Sequence, residues 1–374
     1  MQQYFARPSA GLGARLVRFL AGAALVTVPT ALMHPTSSLA AASSVPSGLV
    51  VVIEDKPQQN KLNLRALSNP EISGVALQIH WSELEPTQAN PNWSKLDQLF
   101  AAADASKKWV QLLIFPGFFT PAWALQGVQT QTFPLQYGPG KGTLEHLPLP
   151  WDSVYLERWF AFLKLLSARY GNSPAFRVVA AAGPTSVSAE SSLPAKPPDV
   201  RTWLALGYTP RKYIAAWQRT FQFYAGTFPQ QHISLSMGSG PAIDDRGRIA
   251  PGEHKRMREE VIDQAMAQLG GRFVLQFSNL DAFPGAGPGP RAVGYIIGFN
   301  GRVITGVQLR TSCERNSQDM SGQDNPVLCL QKSIDIGLQP NGAGQRVNYL
   351  EMYEPDVIAD DLQSVLRGGA ARFK

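Results

Sequence analysis

The chain has 374 residues, with 34 Lys and Arg against 28 Asp and Glu and a formal net charge of +6. Apolar residues make up 44%, enough for a large buried core, which excludes an intrinsically disordered chain. Only 17% are charged, below the ~25% usual for soluble domains, while 33 Gly and 29 Pro without a regular period point to many loops rather than a fibre.

At the N-terminus, Arg7, Arg15 and Arg18 precede an uncharged stretch of 15 residues over 19–33, followed by Ser38, Leu39, Ala40, Ala41 and Ala42. This three-part pattern predicts a signal peptide over 1–42 and an exported, secreted or periplasmic protein over 43–374. The apolar run is shorter than the ~20 residues a spanning helix needs, so no stable membrane insertion is expected after cleavage. Setting aside those three Arg leaves 31 basic and 28 acidic groups, a net +3 without a basic cluster. A nucleic-acid partner is therefore not expected.

Eight apolar or alternating runs follow, over 49–53, 75–80, 110–115, 177–182, 233–237, 273–277, 305–309 and 347–353. Helical patterns over 93–106, 153–170, 210–228, 254–269, 291–299, 325–336 and 358–367 separate them, and the short crossover 60–69 is the weakest helix. Such alternation predicts an α/β fold with a parallel sheet, and eight units predict a single-domain (β/α)8 TIM barrel. No G-x-G-x-x-G follows the first strand and no G-x-x-x-x-G-K-[ST] occurs, so nucleotide-binding sheets lose their support. The segment 293–299 could itself be a strand, and the Pro- and Ser-rich stretch 189–201 reads as a long loop after the fourth strand.

Side chains alternate along a strand, so apolar residues facing the helices leave their neighbours facing the barrel interior. That register turns Gln78, His80, Gln276, Gln308, Glu351, Tyr349 and Tyr353 inward. An ordinary barrel interior is Val, Ile and Leu, so this one reads as a polar pocket or a mutually satisfied internal network.

Active sites of such barrels lie at the C-terminal strand ends. The acids placed there are Glu54, Asp55, Glu83, Glu85, Glu190, Asp281, Glu351, Glu354 and Asp356, with Glu314 further along a loop. Cleaving a glycosidic bond needs two carboxyls in unlike environments, one proton-bearing and one ionised. Glu190 and Glu351 are the pair expected to be catalytic, Glu190 as acid/base and Glu351 as nucleophile or base; Glu354 competes with Glu351, and Glu85 reads as a cap. Trp81, Phe118, Phe119, Trp123, Trp151 and Tyr353 fall at strand ends, where rings can stack on sugar faces or simply pack loops. Cys313 and Cys329 predict one disulfide in an exported chain, and the scattered His predict neither a metal nor another cofactor.

The stretch 74–86, GVALQIHWSELEP, followed by Asn92-Trp93-Ser94-Lys95-Leu96-Asp97, resembles the second strand and helix of clan A glycoside hydrolases. It is especially similar to family 42 β-galactosidases, where W-x-x-L-E-P and a tryptophan-led helix recur, and the loop 116–123 resembles theirs after strand three. The resemblance covers the first half of the exported chain and implies a barrel glycosidase with a carbohydrate substrate. The family usually carries Asn-Glu at the end of strand four and a nucleophile at the end of strand seven. Here strand four runs into Ala182-Gly183-Pro184-Thr185 with Glu190 later, faintly similar to the acid-bearing loop of β-amylases, and strand seven offers Gln308. Two expectations follow: a rearranged glycosidase site, or a barrel that binds glycans without cleaving them.

Overall fold

The computed structural model describes residues 44–56, 59–135, 140–283 and 288–374. The predicted signal peptide, 1–42, lies outside these described residues. In chain order the elements are β1 (Gly48–Glu54), β2 (Ile72–His80), α1 (Trp81–Leu84), α2 (Ser94–Ser106), β3 (Trp109–Phe115), β4 (Thr130–Pro134), β5 (Leu144–Pro148) and α3 (Ser153–Tyr170). Then come β6 (Phe176–Ala180), α4 (Pro197–Ala205), α5 (Pro210–Thr227), β7 (His232–Ser236), α6 (Glu253–Leu269), β8 (Phe273–Leu280) and α7 (Pro288–Ile297). The chain ends with β9 (Ile304–Leu309), α8 (Cys313–Ser321), α9 (Pro326–Gly337), β10 (Tyr349–Tyr353), α10 (Glu354–Ile358) and α11 (Gln363–Ala371).

Eight parallel strands close on themselves in the order β1-β10-β9-β8-β7-β6-β3-β2. This is the expected (β/α)8 barrel. Apolar side chains of alternate residues bind the helical layer to it: Leu49 lies against Gly369 of α11, and Leu350 against Gly337 of α9. The intervening residues therefore face the lumen. Helix starts follow local chemistry. Asp152 accepts from the Tyr155 amide at 3.0 Å to open α3, and Asn325, followed by Pro326, opens α9 by accepting from the Leu328 amide at 2.9 Å.

The floor of the barrel is aromatic. Trp109 and Tyr349 meet edge to face with centroids 5.6 Å apart. Gly74 and Gly306 make this possible, because a Cβ at either position would collide with the Trp109 or Tyr349 ring.

Three local expectations need correction, and one element is added. The crossover over 60–69 holds only a 3-10 turn, Arg65–Ser68. The segment 293–299 falls in and just beyond helix α7, so its strand reading is lost. The stretch 189–201 is more than a loop. Glu190 makes a parallel bridge to Ser236, and Pro197-Pro198 start α4, whose first turn is tied by the Lys196 amide to Asp199 at 2.9 Å. Finally, β4 and β5 form an antiparallel hairpin within the loop after β3, which no alternation of long apolar runs announces.

Candidate active site

Three lumen-facing residues of β10 stand at successive levels above the floor: Tyr349, Glu351 and Tyr353. Tyr349 donates from its hydroxyl to Gln276 Oε1 at 3.0 Å, and Gln111 donates to the same oxygen at 3.0 Å. Gln276 in turn donates from Nε2 to Glu351 Oε2 at 2.7 Å. One level higher, Gln308 donates from Nε2 to the Tyr353 hydroxyl at 2.9 Å. The interior is thus a directed chain of amides and hydroxyls. It is incompletely satisfied, because Glu351 Oε1, Gln308 Oε1 and Gln111 Oε1 are buried without a hydrogen-bond partner.

Glu351 has no exposed surface. Burial strips water from its carboxylate and pushes its pKa from 4.5 up to about 8, with the Gln276 bond offsetting only part of that. Glu351 therefore holds its proton at neutral pH. It sits on the eighth barrel strand in chain order and Gln308 on the seventh, so the departure from the clan A pattern stands.

Glu190 reaches the site by a different route. Its loop leaves β6 but docks on the C-terminal end of β7: the Ser191 amide donates to Ser236 O and the Leu193 amide to Ser239 O, each at 3.1 Å. Gly238 takes the Ser191 hydroxyl as acceptor at 3.1 Å, and a side chain at Gly238 would strike Ser191 and Ser192. Glu190 is half-buried and lines a cleft of about 210 Å³ with Ser186, Ser188, Ser192, Lys196 and Ser239. Glu351 is not among the walls of that cleft. Burial pushes Glu190 up to about 7, opposed weakly by the Ser192 hydroxyl at 3.4 Å.

Burial raises the Tyr353 pKa, and the charges of Glu54, Glu351 and Glu190 add to that rise. Most other acids at this end of the barrel are engaged in structure. Asp55 pairs with Lys95 at 2.6 Å and Glu83 lies 3.7 Å from the same ammonium. Asp281 accepts from the Phe283 amide at 3.2 Å. Glu85 accepts from Trp81 Nε1 and from the Ala89 amide, both at 2.9 Å, as a cap should. Asp356 accepts from the Glu314 amide at 2.8 Å and from the Ser312 hydroxyl at 3.0 Å, holding the start of α8. Glu354 opens α10 among Lys56, Arg315 and Arg65, with burial raising its pKa against those charges.

The expected sugar contacts divide. Gln78, His80, Phe118, Trp123 and Tyr353 keep part of their surface open. His80 stacks flat on Phe119 at 3.6 Å, and burial lowers its pKa, favouring the neutral ring. Phe118 is drawn toward the Glu190 loop by its amide, which donates to Ser186 O at 2.9 Å. Trp123 donates from Nε1 to Glu85 O at 2.8 Å and meets Trp81 edge-on. Trp151 is half-buried against Trp203 and Tyr208.

Three expected contacts are corrected. Trp81 is fully buried, enclosed by Trp123, Trp159 and Phe162, and has no face for a ligand. Gln276 and Gln308 are 1% and 2% exposed, so they position Glu351 and Tyr353 rather than touch a sugar. The structure adds Gln111, missed because it sits in the otherwise apolar run Trp-Val-Gln-Leu-Leu-Ile-Phe; its place two residues after Trp109 in the inward register was the available signal.

Away from the site, Cys313 and Cys329 form the expected disulfide, with Cα atoms 5.7 Å apart, joining α8 to α9. Among the described residues, no helix is long and apolar enough to cross a membrane.

No protein-family model matches this chain, and no curated protein matches it. A β-galactosidase from the Antarctic haloarchaeon Halorubrum lacusprofundi is similar in structure, with TM-score 0.52 and 11% identity over 87% of this chain and 58% of that one. The catalytic domain of the major endoglucanase of Xanthomonas campestris pv. campestris aligns with TM-score 0.47 and 11% identity, covering 87% of this chain and 95% of that one. An exo-β-1,4-mannosidase from Opitutaceae bacterium strain TAV5 aligns with TM-score 0.48 and 12% identity over 89% and 61%. At such identities the likeness is one of barrel fold alone.

Proposed function

We propose that this protein is an exported glycoside hydrolase working at the C-terminal mouth of the barrel, with Glu190 and Glu351 as its two carboxyls. The observation that carries the reading is that neither forms a salt bridge among the described residues, and burial raises the pKa of each, to about 7 and about 8. Clustering of such groups at one end of a fold marks a site built for proton exchange. Glu190, open to its serine-lined cleft, protonates the glycosidic oxygen as the bond breaks. Glu351 is the second carboxyl of the pair, enclosed one level below Tyr353. Gln78, His80, Phe118, Trp123 and Tyr353 hold the sugar through hydroxyl bonds and ring stacking. The similarity to family 42 β-galactosidases in the first half of the chain supports a glycan substrate, and the barrel shared with the haloarchaeal β-galactosidase agrees with it.

The test is a panel of aryl glycosides and polysaccharides with product analysis. Glu190→Gln is expected to lower kcat/KM about 10²- to 10⁴-fold, the usual worth of a general acid. If Glu190→Gln and Glu351→Gln both hydrolysed at the wild-type rate, the pair would be wrong. Saturable sugar binding without released reducing ends would replace the hydrolase by a glycan-binding barrel.

A further inference from the structure

Glycosidic cleavage needs a second carboxyl that meets the substrate on the side away from the acid, to receive a proton from water or to attack carbon. Glu351 has no exposed surface through which a substrate could touch it. The strand register shows what lies above it. On the seam between β1 and β10, Val50 pairs with Glu351 and Val52 pairs with Tyr353. Leu49 of β1 faces α11, so Val50, Val52 and Glu54 alternate into the lumen. Glu54 is thus the next lumen-facing level of that seam, at the C-terminal end of β1. It is exposed, and its register partner on β2 is Gln78. In the closed ring, β7 stands four places from β1 by either path, and Glu190 is docked on the C-terminal end of β7 through Ser236. The two residues therefore stand at strand ends on opposite sides of the barrel mouth.

We propose that Glu54 is a further catalytic carboxylate of this site, acting across the barrel mouth from Glu190 as the base that activates water. The proposal rests on the glycoside hydrolase reading and completes it. Glu54 takes a proton from a water whose oxygen bonds to the anomeric carbon. The glycosidic C–O pair leaves with the departing oxygen, which takes the Glu190 proton. Glu54 ends protonated and Glu190 ionised, and exchange with solvent restores both. Placement across the full width of the mouth leaves room for that water, as in inverting enzymes, where the carboxyls stand roughly 6.5–9.5 Å apart. Burial raises the Glu54 pKa, and the nearby Arg315 and Lys56 charges oppose that by favouring its ionised form. Gln78, beside it, offers an amide to the sugar or the water.

The experiment uses the wild-type protein on an aryl glycoside that it cleaves, with Glu54→Gln and Glu54→Ala. Glu54→Gln is expected to lower kcat about 10²-fold or more, with KM and melting temperature near wild type because the side chain is exposed. Added formate or azide is expected to restore turnover to Glu54→Ala, and NMR of the first product is expected to show an inverted anomer. Wild-type kcat in Glu54→Gln, or a loss in Glu54→Ala that small anions do not rescue, would overturn the role of Glu54 and leave the hydrolase reading standing. A retained anomer would overturn the water-activating role. Absence of wild-type hydrolysis on every glycoside would overturn both readings.

Discussion

Trp81 shows how one residue can carry a motif for structural reasons. It follows β2 directly, its indole donates to Glu85, and four aromatic neighbours close around it. The W-x-x-L-E-P string is thus a self-contained corner in which Trp and Glu satisfy each other. Trp81→Phe is expected to leave Glu85 short of a buried donor and to cost about 1–3 kcal/mol, while KM on a cleaved glycoside stays unchanged. Urea denaturation beside steady-state kinetics checks both halves; a raised KM at unchanged stability would return Trp81 to the sugar site. Inward polar residues were readable from alternation alone, which is why Gln276, Gln308 and Glu351 were found. Their exposure was not readable, because period two reports which face a side chain takes and not how high it stands in the barrel.

Among the elements, the strands were legible and the insertions were not. Each barrel strand is a short apolar run between loops, so its existence survives small errors at its ends. The Glu190 loop has no such pattern: its order depends on backbone bonds to Ser236 and Ser239, partners more than 40 residues away. The fourth-strand acid therefore arrives above β7, a placement that chain order could not suggest. Helix α8 is a second case, polar in sequence and broken at Asn316, where the backbone leaves helical geometry. It is held by the Ser312 and Asp356 contacts at its start and by the Cys313–Cys329 disulfide, whose partners are 16 residues apart. Replacing both cysteines by serine is expected to cost about 3 kcal/mol, the loop-closure value for that span. Denaturation of the double variant measures it, and a midpoint equal to wild type would show that the capping bonds suffice.

For the molecule as a whole, most shifted carboxyls move in one direction. Burial raises Glu351 to about 8, Glu190 to about 7 and Asp356 to about 6, and it also raises Glu54, Glu85 and Glu354. A raised acid contributes stability that is complete below its unfolded pKa, 4.5 for Glu or 3.8 for Asp, and is lost as pH climbs through the folded value. The folded chain thus keeps protons that the unfolded chain releases, and stability falls across the interval from about pH 4 to about pH 8. His80 opposes this, since its lowered pKa contributes stability above 6.5 that is lost as pH falls through the folded value. Asp97 and Asp244 are lowered by their arginine partners and titrate below 3.8, outside the interval. One imidazole against six carboxyls leaves the acid side favoured. The melting temperature is therefore expected to be higher near about pH 5 than near about pH 9, with Glu351→Gln flattening the slope more than any other single change because Glu351 has the highest folded value. Calorimetry across that range decides it: a melting temperature that rises toward alkali would mean that Glu351 is ionised in the folded barrel.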